Sequence, residues 1–129
     1  MSPSPEVQRL ELAASDGAPL RARQFVERVA GELRAPLRAD LLLLVTELVT
    51  NSVRHGPDRP ITVELLVLDA DHANGEVIDA GTATTAQRIA DTGVDTPGGF
   101  GLMLVDRLSN HWGVREGSTH VWFELGAAC

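Results

Sequence analysis

Glu47 and Asn51 stand four residues apart in the stretch ELVTNSVRHG (Glu47 to Gly56), which closes a segment that begins as nearly pure core, LLLLVT. On a helix that spacing stacks the two side chains on one face. Plotted at about 100° per residue, the apolar arc comprises Leu41, Leu42, Leu44, Val45, Leu48, Val49 and Val53, and Glu47 and Asn51 fall just past its edge, beside Leu44. A solvated polar face accounts for such a pair, and so does a ligand site. The Asn carboxamide oxygen is a hard donor suited to Mg²⁺, which keeps several waters and takes phosphate oxygens for the rest. The Glu carboxylate is then a base for a hydroxyl or a water. Two details favour the site. Asn is poor inside a helix because its amide competes for the backbone, and a merely solvated face would more often carry Lys, Glu or Gln.

Two other stretches have the chemistry to complete a nucleotide pocket. Pro97-Gly98-Gly99-Phe100-Gly101-Leu102 precedes a short helical pattern, and glycines there let backbone N–H groups approach an anion with the helix dipole behind them. A ligand-free glycine turn reads the same way. Val77-Ile78-Asp79-Ala80-Gly81-Thr82 ends an apolar strand in an acid followed by glycine. Such an Asp either accepts a hydrogen bond from an amino group in a pocket or simply closes the strand. All eleven basic residues are arginine. A Walker-type phosphate loop, which needs GxxxxGK[ST], is therefore excluded, as is Schiff-base chemistry. A dinucleotide fingerprint also fits poorly: GGFGLM lacks the final glycine and follows a loop where a strand is required.

The elements that must position these residues follow from periodicity. Residues 1–6 read as a disordered leader. Val7, Leu10 and Leu12 predict a first strand ended by Ser15-Asp16-Gly17. Leu20, Phe25, Val26, Val29, Ala30 and Leu33 recur at helical spacing from Pro19 to Leu33. A second helix starts near Pro36 and runs to about Arg54, stopped by Gly56-Pro57. Ile61 to Leu68 and Gly75 to Asp79 read as strands joined by a turn around Asp71 to Gly75. Residues 80–97 lack periodicity, and a loop so long inside one domain is more often functional than idle. Gly101 to Ser109 reads as a short helix, and Trp112 to Arg115 and His120 to Leu125 as two closing strands. The order implies one α+β domain over residues 1–129: a two-layer sandwich, a mostly antiparallel mixed sheet with helices on one face.

Composition narrows the function classes. A chain of 129 residues with 43% hydrophobic content buries its own core. The net charge of −7 argues against nucleic acid, which selects a basic face. No apolar run approaches the roughly 20 residues of a membrane span, and MSPSPEVQRLEL has no signal-peptide pattern; a cytoplasmic protein with no membrane contact is expected. Cys129, the single cysteine, excludes a disulfide framework and a cysteine metal cluster. His72, His111 and His120 have no metal-ligand spacing. Trp112 and Trp122 are expected in or at the edge of the core.

In this order, the three stretches resemble the asparagine box and the two glycine boxes of the GHKL ATPase superfamily, the Bergerat fold shared by gyrase B, MutL and histidine kinases. The closest resemblance is to its stand-alone branch, the anti-sigma-factor serine/threonine kinases: ELVTNSVRHG is similar to the ExxxN box, GGFGLMLVDRLSNHWGV to the second glycine box and following strand, and GSTHVWFEL to the last strand. The likeness runs from about Leu10 to Leu125. It implies ATP and Mg²⁺ as cofactors, with Asn51 as metal ligand and Glu47 as general base on the attacking hydroxyl. It implies that Asp79 accepts from the adenine amino group, that Gly81 lets the base approach, and that Thr119 supports the adenine. Gly99, Gly101 and Leu102 would hold the phosphates through their backbone, with charge added by Arg54, and residues 82–97 would form the ATP lid. His55 reads better as a helix C-terminal cation. The implied partners are an anti-sigma-factor antagonist and a sigma factor, and the implied assembly a homodimer through the first strand and helix. Two departures stand out. Asp79-Ala80-Gly81-Thr82-Ala83 puts Ala83 where the DxGxG box has its second glycine, and Gly117-Ser118-Thr119 replaces the usual Gly-Lys-Thr. The first stiffens the start of the lid and motivates an alternative, a non-catalytic ATP-sensing module that sequesters a partner.

Overall fold

Ile61, Val63 and Leu65 are buried, while Thr62, Glu64 and Leu66 between them are only half covered, the alternation expected of a strand with one face on the core. The computed structural model describes residues 6–55, 59–79, 105–114 and 120–126. In chain order its elements are β1 (Gln8–Leu12), α1 (Ala18–Val29), α2 (Ala35–His55), β2 (Ile61–Asp69), β3 (His72–Ile78), β4 (His111–Val114) and β5 (Val121–Gly126). The strands form one sheet in the order β1-β2-β3-β5-β4, and all four pairings are antiparallel. Both helices cover the same face. Phe25 and Val26 of α1 and Leu41, Leu44, Val45, Leu48 and Val49 of α2 share one core with Ile61, Val63, Leu65, Val77, Phe123 and Leu125. At about 1.5–3 kcal/mol per buried side chain of this size, that cluster outweighs every surface ion pair in the molecule. The architecture is the two-layer α+β sandwich expected.

Some boundaries moved, each for a local reason. The expected helix from Pro19 to Leu33 ends at Val29. Ala30 donates its N–H to the Val26 carbonyl at 2.8 Å and accepts from the N–H of Leu33 at 3.1 Å, so the chain turns over Ala30, Gly31 and Glu32 while Leu33 still packs into the core. The expected turn from Asp71 to Gly75 is tighter: Ala70 and Asp71 make it, and the strand begins at His72. The Asp69 carboxylate organises this turn, accepting from the N–H of Asp71 at 2.8 Å with His72 Nδ1 at 2.8 Å from the same oxygen. The Asp71 N–H first, and then the His72 ring, hold the Asp69 carboxyl below its ordinary range. Because the carboxylate is favoured in the fold, its contribution is present above the ordinary Asp pKa and fades as pH falls through the lowered value. The closing strands each begin one residue from the expected position, at His111 and Val121. Of the short helix expected from Gly101 to Ser109, residues 105–108 form a helical turn, and residues 101–104 lie outside the described segments, as do residues 1–5.

Gly75 belongs inside β3 because of what lies across from it. It pairs with Phe123 of β5, and a Cβ at position 75 would stand 2.4 Å from the Phe123 Cζ. The missing side chain is the space the ring fills. Gly75→Ala is therefore expected to lower stability by about 1–3 kcal/mol, the usual cost of overpacking, read from the urea midpoint. Phe123→Leu combined with it should lose less than the sum of the two single changes, because the clash they share disappears. An unchanged midpoint in Gly75→Ala would show that the ring is not held there.

The face of the sheet turned away from the helices is mostly polar among the described residues. Glu64 and Glu76 lie directly opposite each other on β2 and β3, a destabilising pair of like charges unless compensated. Each has its own cation or imidazole: Arg9 donates to Glu64 Oε2 through Nε at 2.9 Å and Nη2 at 2.6 Å, and His120 Nε2 bonds Glu76 Oε2. Trp112 and Trp122 are half-buried, the former donating from Nε1 to Asp106 Oδ1 at 3.0 Å. Among the described residues, no helix is long and apolar enough to cross a membrane, and no three His, Cys, Asp or Glu residues gather as a metal site.

Candidate functional site

One contact sets the position of α2 along the sheet. The N–H of Arg34, just before the helix, donates to the carbonyl of Ala70 at 2.7 Å, and its guanidinium Nε donates to Asp71 Oδ1 at 2.7 Å. The start of α2 is thus clipped to the turn between β2 and β3. From that clip, Asn51 lies about 26 Å along the helix at 1.5 Å per residue. Asp79 lies about 26 Å along β3 at 3.3 Å per residue. The link from α2 to Ile61 agrees, because residue 62 at the start of β2 pairs with Ile78 at the end of β3. The C-terminal third of α2 and the end of β3 therefore meet at the same end of the domain, with Glu47 one turn back from Asn51. Asp79 also lies on the inner side of the sheet, since it continues the buried series Ala73, Gly75, Val77.

Four of the expected polar groups lie at this end. Glu47 and Asn51 are half-buried, Arg54 is exposed, and Asp79 is 8% exposed, the one buried charged side chain among the described residues. Several acidic side chains elsewhere are matched, Glu27 with Arg23, Glu64 with Arg9, Asp71 with Arg34 and Glu76 with His120, whereas Glu11, Asp16, Glu32, Asp40 and Glu124 make no such pair among the described residues. Glu47 and Asn51 likewise make no side-chain hydrogen bond or ion pair among the described residues. The hydroxyls on the other flank of the helix are tied back, Thr46 to the Leu42 carbonyl and Thr50 to the Thr46 carbonyl, both at 2.7 Å. A carboxylate and a carboxamide partly out of water, one turn apart, with their hydrogen-bonding capacity unspent, are suited to a ligand. Asn51 offers a hard oxygen to a divalent ion and Asp79 an acceptor to a donor arriving from the helix side.

Of the residues expected at the site, Glu47, Asn51, Arg54 and Asp79 come to one end of the molecule. Gly81, Gly99, Gly101, Leu102 and Thr119, with the expected lid at 82–97, lie outside the described residues. Two shallow clefts open elsewhere. One of about 210 Å³ runs between Val7, Leu66 and Glu76, and one of about 350 Å³ between His72, His111 and Glu124. Neither is lined by Glu47, Asn51 or Asp79, and the larger lies at the opposite end of β3. Leu43 is the side chain that sequence reasoning passed over. It sits one turn before Glu47 and is 42% exposed, whereas Leu41, Leu44 and Leu48 are at most 4% exposed. The helical plot carried the signal, for Leu43 already falls off the apolar arc.

Curated proteins show no match by sequence. Among solved structures, a crystal structure of the RsbU and RsbW domains of Rv1364c from Mycobacterium tuberculosis is similar, with a TM-score of 0.62 and 19% identity. The match covers 93% of this chain but 31% of that one, so the likeness is one of fold to part of a larger protein. The profile of the histidine kinase-like ATPase domain matches residues 12–125, which takes in both helices, β2, β3, β4, all but the last residue of β5, the last residue of β1, and every site residue named above. The chain belongs to the family of histidine kinase-like ATPase domains.

Proposed function

We propose that the chain binds Mg·ATP and transfers its γ-phosphoryl group to a serine or threonine hydroxyl of a protein partner, as an anti-sigma-factor-type kinase in a regulatory switch of transcription. The observation that carries this reading is the unpaired, half-buried Glu47 and Asn51, one turn apart and level with the buried Asp79. In this reading Asn51 holds the Mg²⁺, Asp79 accepts from the adenine amino group, and Arg54 adds positive charge at the phosphates. Bound Mg²⁺ would neutralise charge on the β- and γ-phosphates. Glu47 takes the proton of the acceptor hydroxyl as its oxygen bonds to the γ-phosphorus and the bond to the departing ADP oxygen breaks. Phosphoryl transfer asks mainly for positioning and charge neutralisation, so these few groups suffice. Backbone N–H groups of Gly99, Gly101 and Leu102, with Gly81 and Thr119 near the base, complete the proposal. The acceptor would be an anti-sigma-factor antagonist, and phosphorylation would decide whether a sigma factor is held or released.

The test is incubation of the purified chain with γ-labelled ATP, Mg²⁺ and soluble protein of the source cells. A labelled small acceptor supports the kinase. ATP-dependent retention of a partner without label supports the ATP-sensing module, to which Ala83 in the first glycine box points. Base recognition has its own test. Asp79→Asn keeps the shape but turns an acceptor oxygen into a donor, so ATP affinity is expected to fall about 10- to 100-fold, the range for a mispaired buried hydrogen bond, and preference over GTP to shrink. Competition of ATP and GTP for a fluorescent analogue measures both. Undiminished discrimination would remove Asp79 from the adenine.

A further inference from the structure

Leu43 is exposed one turn before Glu47, the base in the reading above. It precedes Glu47 by four residues, so their Cβ atoms are about 5–6 Å apart on the same side of α2. A hydroxyl that gives its proton to Glu47 must come within about 3 Å of the carboxylate. On the far side of Glu47, Asn51 and Arg54 are the residues assigned above to the metal and phosphates, which leaves the Leu43 side of the helix to the acceptor segment. In an extended segment, the residue two positions from the acceptor points the same way and lies about 6.6 Å along. That spacing matches the step from Glu47 to Leu43. The next turn back carries Ala39, exposed and small, beside the half-buried Asp40. Isolated surface leucines are common; this one lies one turn from the base, on a helix whose other leucines are buried or half-buried.

We infer that Leu43 is a specificity-determining residue for the acceptor, selecting a serine or threonine that has an apolar residue two positions away in an extended segment. The inference rests on the kinase reading above. Its test uses the full chain, γ-labelled Mg·ATP and total soluble protein of the source cells. The site on the labelled acceptor is mapped by mass spectrometry, and the initial labelling rate is measured for the parent, Leu43→Asp and Leu43→Ile. Affinity for a fluorescent ATP analogue is measured for each. The mapped site is expected to carry Leu, Ile, Val, Met or Phe two residues from the phosphorylated side chain. Leu43→Asp is expected to lower the rate about tenfold through loss of apolar burial while nucleotide affinity stays at the parental value, and Leu43→Ile to restore the rate. Polar residues at both flanking positions, or equal rates for the parent and Leu43→Asp, overturn the inference and leave the kinase standing. A Leu43→Asp chain that also loses nucleotide affinity overturns it too, since Leu43 would then act through the fold. A parent that binds nucleotide but labels nothing removes the kinase reading, and this inference with it.

Discussion

Glu47→Gln is expected to slow phosphoryl transfer about 10²- to 10⁴-fold, the usual contribution of a positioned general base, while leaving Mg·ATP affinity near the parental value. The two side chains share shape and volume, and Glu47 has no partner among the described residues for the exchange to orphan. The fold should not notice the change. What disappears is basicity, because an amide takes no proton at neutral pH. The loose transition state of phosphoryl transfer places little of its demand on the base, which favours the lower part of the range. Single-turnover transfer from labelled ATP to the acceptor gives the number, and analogue binding supplies the control. Equal rates in parent and variant would take Glu47 out of the chemistry as the base.

Asn51→Ala should move binding and stability in opposite directions. Removing the carboxamide takes away the direct metal ligand, and since loss of a group that merely supports a metal ligand costs about 10- to 100-fold in affinity, loss of the ligand itself should cost at least that for Mg·ATP. Position 51 is inside α2, where alanine is favoured over asparagine by up to about 0.7 kcal/mol, and no described side chain depends on the amide. The variant should therefore melt no lower than the parent, and slightly higher. A residue kept at some cost to its helix is what a functional position looks like. Thermal unfolding without nucleotide and calorimetric titration with Mg·ATP make the comparison. A variant that lost both stability and binding would mean that Asn51 supports the structure.

Much of this could be read from the sequence, and the parts that could not have physical reasons. The α2 arc was legible because seven apolar residues repeat at helical spacing, and five of them, Leu41, Leu44, Val45, Leu48 and Val49, are buried. The β2 alternation was equally plain. Gly75 misled, since glycine reads as a turn, and only the Phe123 ring on the paired strand explains it. The end of α1 was misplaced because Leu33 keeps the helical spacing after the helix has stopped. Long-range pairing was the least legible. Nothing local to Arg34 announces Asp71, thirty-seven residues away, yet that clip brings the end of α2 level with the end of β3. Glu47, Asn51 and Asp79 were singled out from residue type and spacing and lie at one end of the domain, and the exposure of Leu43 matches its place off the apolar arc of the helical plot.

The most direct test of a nucleotide pocket between α2 and β3 is the amide spectrum of the ¹⁵N-labelled chain titrated with Mg·ATP. Saturable shifts are predicted at Glu47, Asn51, Arg54, Ile78 and Asp79, while His72, Asn110 and His111 at the opposite end stay still. No saturable shift, or shifts centred on the cleft beside His72 and His111, would contradict the account.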